Sequence, residues 1–258
     1  MQDFPFYTSL PLGDLIYALP GIRKVCTDKG TRAIIYLDVN QKWPMAEGIM
    51  RRNGITISDM DFEMIKPLLL AQDYISSVER FTDQQAINLD EVMRYPTNVP
   101  YGYIPRWYFY VYPEMACNLA DPWLFVDGRI KLLNKGFILI NRSARYHNPH
   151  ISYRFLEKYK DRIFFIGLDD EWMSFCKVFF EVRHYKIQDF QELALLINSC
   201  KFFIGNQSFP FSIAEGLKVP RILELFDPLP NVIPHGDHAY DFYMQSAFEV
   251  YVEKLMKI

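Results

Sequence analysis

A chain of 258 residues, half of them hydrophobic and 23% charged, has the composition of an ordinary globular protein and enough apolar surface for one large core or two small ones. Its net charge of −3 excludes a global basic field of the kind that recruits nucleic acid. Cysteines at 26, 117, 176 and 200 form neither a CxxC pair nor a zinc spacing, so they read as free thiols of a reducing compartment. The opening MQDFPFYTSLPLGD lacks the basic and apolar regions of a signal peptide, and no apolar run approaches the roughly 20 residues of a membrane span. The expectation is a cytoplasmic protein with no transmembrane segment.

The first elements read as strand, turn, helix, strand. Phe6 to Leu10 suits a strand and Pro11 to Asp14 a tight turn. Leu15 to Thr27 has helical apolar spacing around Pro20, and Ala33 to Leu37 is a buried-type strand. Gly13 and Asp14 then stand at the mouth of the first turn, where ligands of open parallel sheets collect. Asp14 can face such a crevice or merely cap the helix.

From 40 to 95 the pattern is less regular. It predicts helices over Met45 to Asn53 and Asp61 to Gln72, a strand over Tyr74 to Arg80, and a helical turn over Leu89 to Arg94. Prolines 96, 100, 105, 113 and 122 argue against long elements between 95 and 123, apart from a short helix over Tyr112 to Ala120. That stretch suits a crossing between two domains, with its aromatics as packing.

The alternation resumes with strands over Gly136 to Ile140, Arg162 to Ile166 and Val182 to Tyr185. Helices are predicted over Ile151 to Tyr159, from Glu171, and over Asp189 to Cys200. Lys201 to Ile204 is an apolar strand, Gly205 to Ser208 a polar turn able to cap a helix, Phe211 to Lys218 a helix, and Arg221 to Leu225 a strand. One further helix is predicted within Ala239 to Lys257.

The βα turns in this half are natural anion seats, because free N–H groups and the positive end of a helix dipole point out of them. Asn141, Arg142, Ser143 and Arg145 end one strand with two guanidiniums suited to a diphosphate. Asn206, Gln207 and Ser208 form the second turn, expected at the same sheet edge. Glu215 can take a ribose hydroxyl or simply face solvent. His147 and His150, and the HxxH of His235 and His238, have no carboxylate or cysteine partner at ligand spacing, so no metal is expected. No GxGxxG, GxxxxGK[ST] or GxSxG is present.

Three separated stretches carry a resemblance. GDLIYALPGIRK, NRSARYHNP followed by RIFFIGL, and CKFFIGNQSFPFSIAEGLKVPRILE are similar, in that order, to motifs of the heptosyltransferase-like family of GT-B glycosyltransferases. The resemblance implies an α/β, GT-B-like protein of two Rossmann-like parallel-sheet domains facing a cleft, the first trimmed. It would have an acceptor-side domain over 1–122 and a nucleotide-sugar domain over 123–258, with a C-terminal helix able to pack back on the first. It implies metal-independent sugar transfer from a nucleotide diphosphate-sugar, with no cofactor, to an unknown acceptor. Asp14 takes the position of a general base with Gly13 on the acceptor side, and Asn141, Arg142, Ser143, Gln207 and Ser208 fall near the donor. The family's late Asp, Gly and His fall on Gln207, Phe209 and Ser212. That difference leaves a second expectation open: a catalytically inactive module of the same fold, binding a nucleotide or a protein partner.

Overall fold

The computed structural model describes residues 3–42, 54–94 and 102–258. The helix predicted over Met45 to Asn53, and Pro96 and Pro100, lie outside the described residues. The chain divides into two compact units. One comprises Met1–Asn118, Trp123–Val126 and Asp189–Gln191, the other Leu119–Pro122, Asp127–Gln188 and Glu192–Ile258.

The first unit is built on β1 (Phe4–Thr8), α1 (Leu12–Lys29), β2 (Ala33–Leu37), α2 (Asp59–Leu70), β3 (Ile75–Arg80), β4 (Ile87–Asn88) and α3 (Ile104–Val111). Its strands form a parallel sheet in the order β3-β2-β1-β4. Helix α1 buries Leu12, Leu15, Ile16, Leu19, Ile22, Val25 and Cys26, the i, i+3, i+4 stripe of an amphipathic helix. It starts three residues before its predicted position and carries Pro20 in its interior. Gly21 is required where the 3₁₀ turn Pro113–Met115 crosses it, because a Cβ there would stand 2.6 Å from that of Met115. Gly30 ends the helix at φ 62°, a left-handed cap whose N–H returns to the Cys26 and Thr27 carbonyls.

The second unit contains β5 (Ile138–Asn141), β6 (Ile163–Phe165), α4 (Asp169–Val178), β7 (Arg183–His184), α5 (Phe190–Ser199) from Glu192 on, β8 (Phe202–Asn206), α6 (Phe209–Leu217), β9 (Arg221–Glu224), β10 (Ala239–Phe242) and α7 (Gln245–Met256). All neighbours pair in parallel, in the order β10-β9-β8-β5-β6-β7. Renumbered from β5, this is the 3-2-1-4-5-6 order of a doubly wound dinucleotide fold. Strands β5, β8 and β9 are buried at every residue, which is why β5 and β8 open as continuous apolar runs rather than alternations, while β9 buries a charged residue at each end. Helix α7 places Phe248, Val252 and Leu255 in this unit's core.

Two sequence expectations are corrected. RWYFYV belongs to α3, because Pro105 sits in its first turn where a missing N–H costs nothing; Tyr112 to Ala120 contains only the short 3₁₀ turn. The helix predicted within Ala239 to Lys257 is α7, preceded there by the edge strand at residues 239–242. Glu215 does not face solvent. It is fully buried at the far end of α6, where its Oε2 accepts from Arg221 Nε at 2.5 Å and its Oε1 from Lys218 Nζ at 2.5 Å and the His235 N–H at 3.1 Å. Burial pushes the Lys218 amine down to about 8 even though Glu215 pulls it upward. This internal ion group straps the loop at His235 to α6 and β9.

Because Arg221 is also fully buried, Arg221→Met should leave the Glu215 carboxylate with only Lys218 to balance it. The expected loss is about 3–5 kcal/mol, read as a lower urea midpoint, whereas an unchanged midpoint would mean the pair is dispensable.

Candidate functional site

In a doubly wound sheet the crevice opens where neighbouring strands send their connections to opposite faces. In the second unit that point lies between the carboxyl ends of β5 and β8, where Asn141 pairs with Gly205. The two polar turns predicted to share an edge do meet there. Asn206, fully buried, accepts from the Ser143 N–H at 3.0 Å and donates to the Ser143 carbonyl at 3.2 Å and to that of Arg145. Asn141 donates to the Ile166 carbonyl at 2.9 Å and accepts from the Ser208 hydroxyl at 2.7 Å. Ser208 therefore stands at the helix N-cap position without capping it through its side chain.

Of the remaining sequence-predicted residues in these turns, Arg142 and Gln207 are drawn inward and Arg145 is not. Arg142 forks onto Glu224, with Nε and Nη2 each 2.8 Å from a carboxylate oxygen. The same carboxylate, fully buried at the end of β9, also accepts from the Asn148 N–H at 2.7 Å and the Tyr153 hydroxyl at 2.8 Å. Burial would depress the Arg142 guanidinium, and Glu224 more than offsets it, so its pKa is raised. Gln207 donates to the Leu229 carbonyl and Asn231, and accepts from the Phe226 N–H, so it ties down the 226–231 loop. Arg145 lies exposed over the Tyr146 ring, 5.1 Å from its centroid.

A pocket of about 460 Å³ opens beside these turns, lined by Arg142, His147, Asp170, Glu171, Phe175 and Phe179 among others. Arg142 alone of the sequence-predicted donor residues reaches it. Glu171 was missed although its position is informative. It follows β6, the second strand of the order, where dinucleotide folds set a ribose-binding carboxylate. Its Oε1 accepts from the Ala144 N–H and its Oε2 from the Leu168 N–H, each at 3.0 Å. The amides of Ser143 and Ala144, expected to face an anion, are thus held by Asn206 and Glu171.

In the first unit Asp14 lies in the opening turn of α1, half-buried, with Pro11 and not Asp14 at the N-cap position. Gly13 precedes it on the same turn. The Tyr108 hydroxyl donates to the Asp14 carbonyl at 3.2 Å; burial, with the charges of Asp14 and Asp90, raises that phenol's pKa. Asp90, unmarked in the sequence reading, fixes the β1–α1 turn. It accepts from the Thr8 hydroxyl at 2.7 Å, the Ser9 N–H at 3.0 Å and the Ser9 hydroxyl at 2.6 Å. Burial raises its pKa while those bonds pull it down, with the net direction upward. Among the described residues, no group of three or more His, Cys, Asp or Glu side chains is arranged to hold a metal ion.

With this geometry the chain can be set beside solved structures. It matches the E. coli ADP-heptose lps heptosyltransferase II at a TM-score of 0.63 and 10% identity, over 99% of each chain. It matches a glycosyl transferase family 9 structure from Veillonella parvula DSM 2008 at 0.57 and 12%, over 99% of this chain and 89% of that one. E. coli heptosyltransferase WaaC with ADP-2-deoxy-2-fluoro heptose follows at 0.53 and 11%, over 98% and 99%. The fold is GT-B-like. No protein-family model and no curated protein matches the sequence. The likeness is carried by backbone path, with two Rossmann-like parallel sheets in one chain. Among the described residues, no helix is long and apolar enough to cross a membrane.

Asp90→Ala removes the acceptor of three buried donors and should cost about 2–3 kcal/mol in urea unfolding. Asp90→Asn, which keeps one acceptor oxygen, should cost less. Equal losses for the two variants would show that the carboxylate's bonds are not what holds the turn.

Proposed function

We propose that the protein is a glycosyltransferase that moves a sugar from a nucleotide diphosphate-sugar to an acceptor hydroxyl, with no metal held by the protein. The reading assigns the donor to the second unit, within 123–258, and the acceptor to the first, within 1–122. The observation that carries it is the pocket between the loop that leaves the carboxyl end of β5 and helix α4, whose lining includes the Arg142 cation and the carboxylates of Asp170 and Glu171. A cation suits phosphate and carboxylates suit sugar hydroxyls, so one wall fits both ends of a nucleotide. Outside the pocket lining, Ser208 and the N-terminus of α6, with its positive dipole end, stand next to Asn141 at the end of the same strand β5.

In this scheme Asp14 takes the proton of the acceptor hydroxyl as that oxygen attacks the anomeric carbon. The bond to the diphosphate breaks, and the leaving group's charge is met by Arg142 and the start of α6. The like-fold proteins whose names specify ADP-heptose support a purine diphosphate donor as the first to try. A cytoplasmic site of action is part of the same reading.

A second reading is favoured by a separate observation. Arg142, Gln207 and Glu215 already spend most of their hydrogen-bonding capacity inside the protein. A fold with these groups committed can hold a nucleotide without transferring its sugar.

Thermal shifts with nucleoside diphosphates and their sugars test both. Micromolar binding at millimolar ligand should add about 4 kcal/mol of stability. Binding with turnover supports the transferase, binding without turnover supports the module, and no shift with any nucleotide contradicts both. For the transferase, Asp14→Asn should lower transfer by about 10²–10⁴-fold while leaving donor affinity within a factor of about two. Unchanged transfer by that variant would remove Asp14 from the chemistry.

A further inference from the structure

His147 stands on the pocket wall and has no part in the scheme above. Its ring is half-buried, in the loop that Glu224 and Asn206 hold in place. Its Nε2 meets the Ser143 carbonyl, which can only accept, so Nε2 keeps its hydrogen in both the neutral and the charged ring. Nδ1 is therefore the atom that gains and loses a proton. It makes no hydrogen bond among the described residues and is not sealed from solvent.

The charged groups around the ring come from three elements. Arg142 lies on its own loop, Glu224 ends β9 behind that guanidinium, and Glu171 and Asp170 open α4 across the pocket. Burial, then the Arg142 charge, push the imidazole below its ordinary range; Glu224, the Ser143 bond and Glu171 pull it back only in part. With the pocket open to water the ring is neutral near pH 7. A diphosphate diester entering beside Arg142 brings two negative charges and reverses that balance.

We propose that His147 is a phosphate-binding residue of the donor pocket, taking one proton from solvent as a nucleotide diphosphate-sugar enters and donating it from Nδ1 to a phosphate oxygen. The inference rests on the donor reading of this pocket. The proton stays bonded to Nδ1 and is shared with the phosphate oxygen only as a hydrogen bond; no bond of the donor is made or broken, and the Nδ1–H proton returns to solvent when the diphosphate departs. Binding should then tighten as pH falls, by at most tenfold per pH unit between the ring's pKa in the free and the occupied protein.

The test is isothermal titration calorimetry of the full chain with ADP-glucose and UDP-glucose, in two buffers of different ionisation enthalpy. In these probes both phosphates are diesters and do not titrate from about pH 6 to about pH 8, so protons counted there belong to the protein. Wild type should take up a fraction of a proton approaching one per donor bound. His147→Gln and His147→Asn should abolish that uptake and flatten the pH dependence. Uptake that persists in a folded variant overturns the proposal, and a wild-type count of zero does so whatever the variants do. Absence of binding by wild type with either probe is a different result, which overturns the donor reading and this inference with it.

Discussion

The second unit depends on what happens to backbone polar groups at the β5–β8 switch point. Two adjacent parallel strands end there and their chains depart to opposite faces, so carbonyls and N–H groups that the sheet would have paired are left at a buried edge. Asn141 and Asn206, the last residues of those strands, supply replacements: Asn206 bonds the Ser143 backbone after β5, and Asn141 bonds the Ile166 carbonyl after β6 and the Ser208 hydroxyl after β8. An amide side chain presents both a donor and an acceptor in one plane, as a peptide group does, and no hydrophobic residue could take either position without leaving orphans. Glu224 completes the arrangement from one strand further along by gathering four donors on one carboxylate. Such a carboxylate is stable when buried because every strong lone pair is used and Arg142 balances its charge.

The first unit solves the same problem with a different residue. Its switch point lies between β1 and β4, and Asp90, just beyond β4, binds the turn that leaves β1. In both units, then, the edge where a ligand would sit is stiffened by side chains reaching from the neighbouring strand. In the second unit this stiffening holds His147 and Arg142 on a common wall and leaves the pocket open beside them.

How much of this was legible in the sequence follows from the range of each signal. The apolar run FFIG announced its strand because that parallel strand is buried on both faces, and AIIYL announced its own although every second residue is only partly buried. The edge strands Ile87–Asn88 and Ala239–Phe242 gave no such run, being short and partly exposed. Helix α3 hid among prolines, since a proline in the first turn looks like a breaker when the start of the helix is not known. For the site, position on a turn singled out Asn141, Arg142, Asn206 and Ser208 as candidates, yet side-chain direction depends on partners distant in sequence. Arg142 and Glu224 are separated by 82 positions, and no local pattern marks Asp90 as the partner of Ser9, 81 positions away. Glu215 misled for the same reason. Its helical spacing was correct, but its burial is decided by Arg221 and the loop at His235.

The central claim is that the carboxyl edge of the second sheet receives a nucleotide diphosphate-sugar. Hydrogen–deuterium exchange of the full chain, with and without saturating ADP-glucose, tests it most directly, because it reports where the ligand sits as well as whether it binds. The account predicts slower exchange concentrated in the 142–148 loop and at the start of α4 around Glu171. Slower exchange confined to other segments, with those two unchanged, would contradict it.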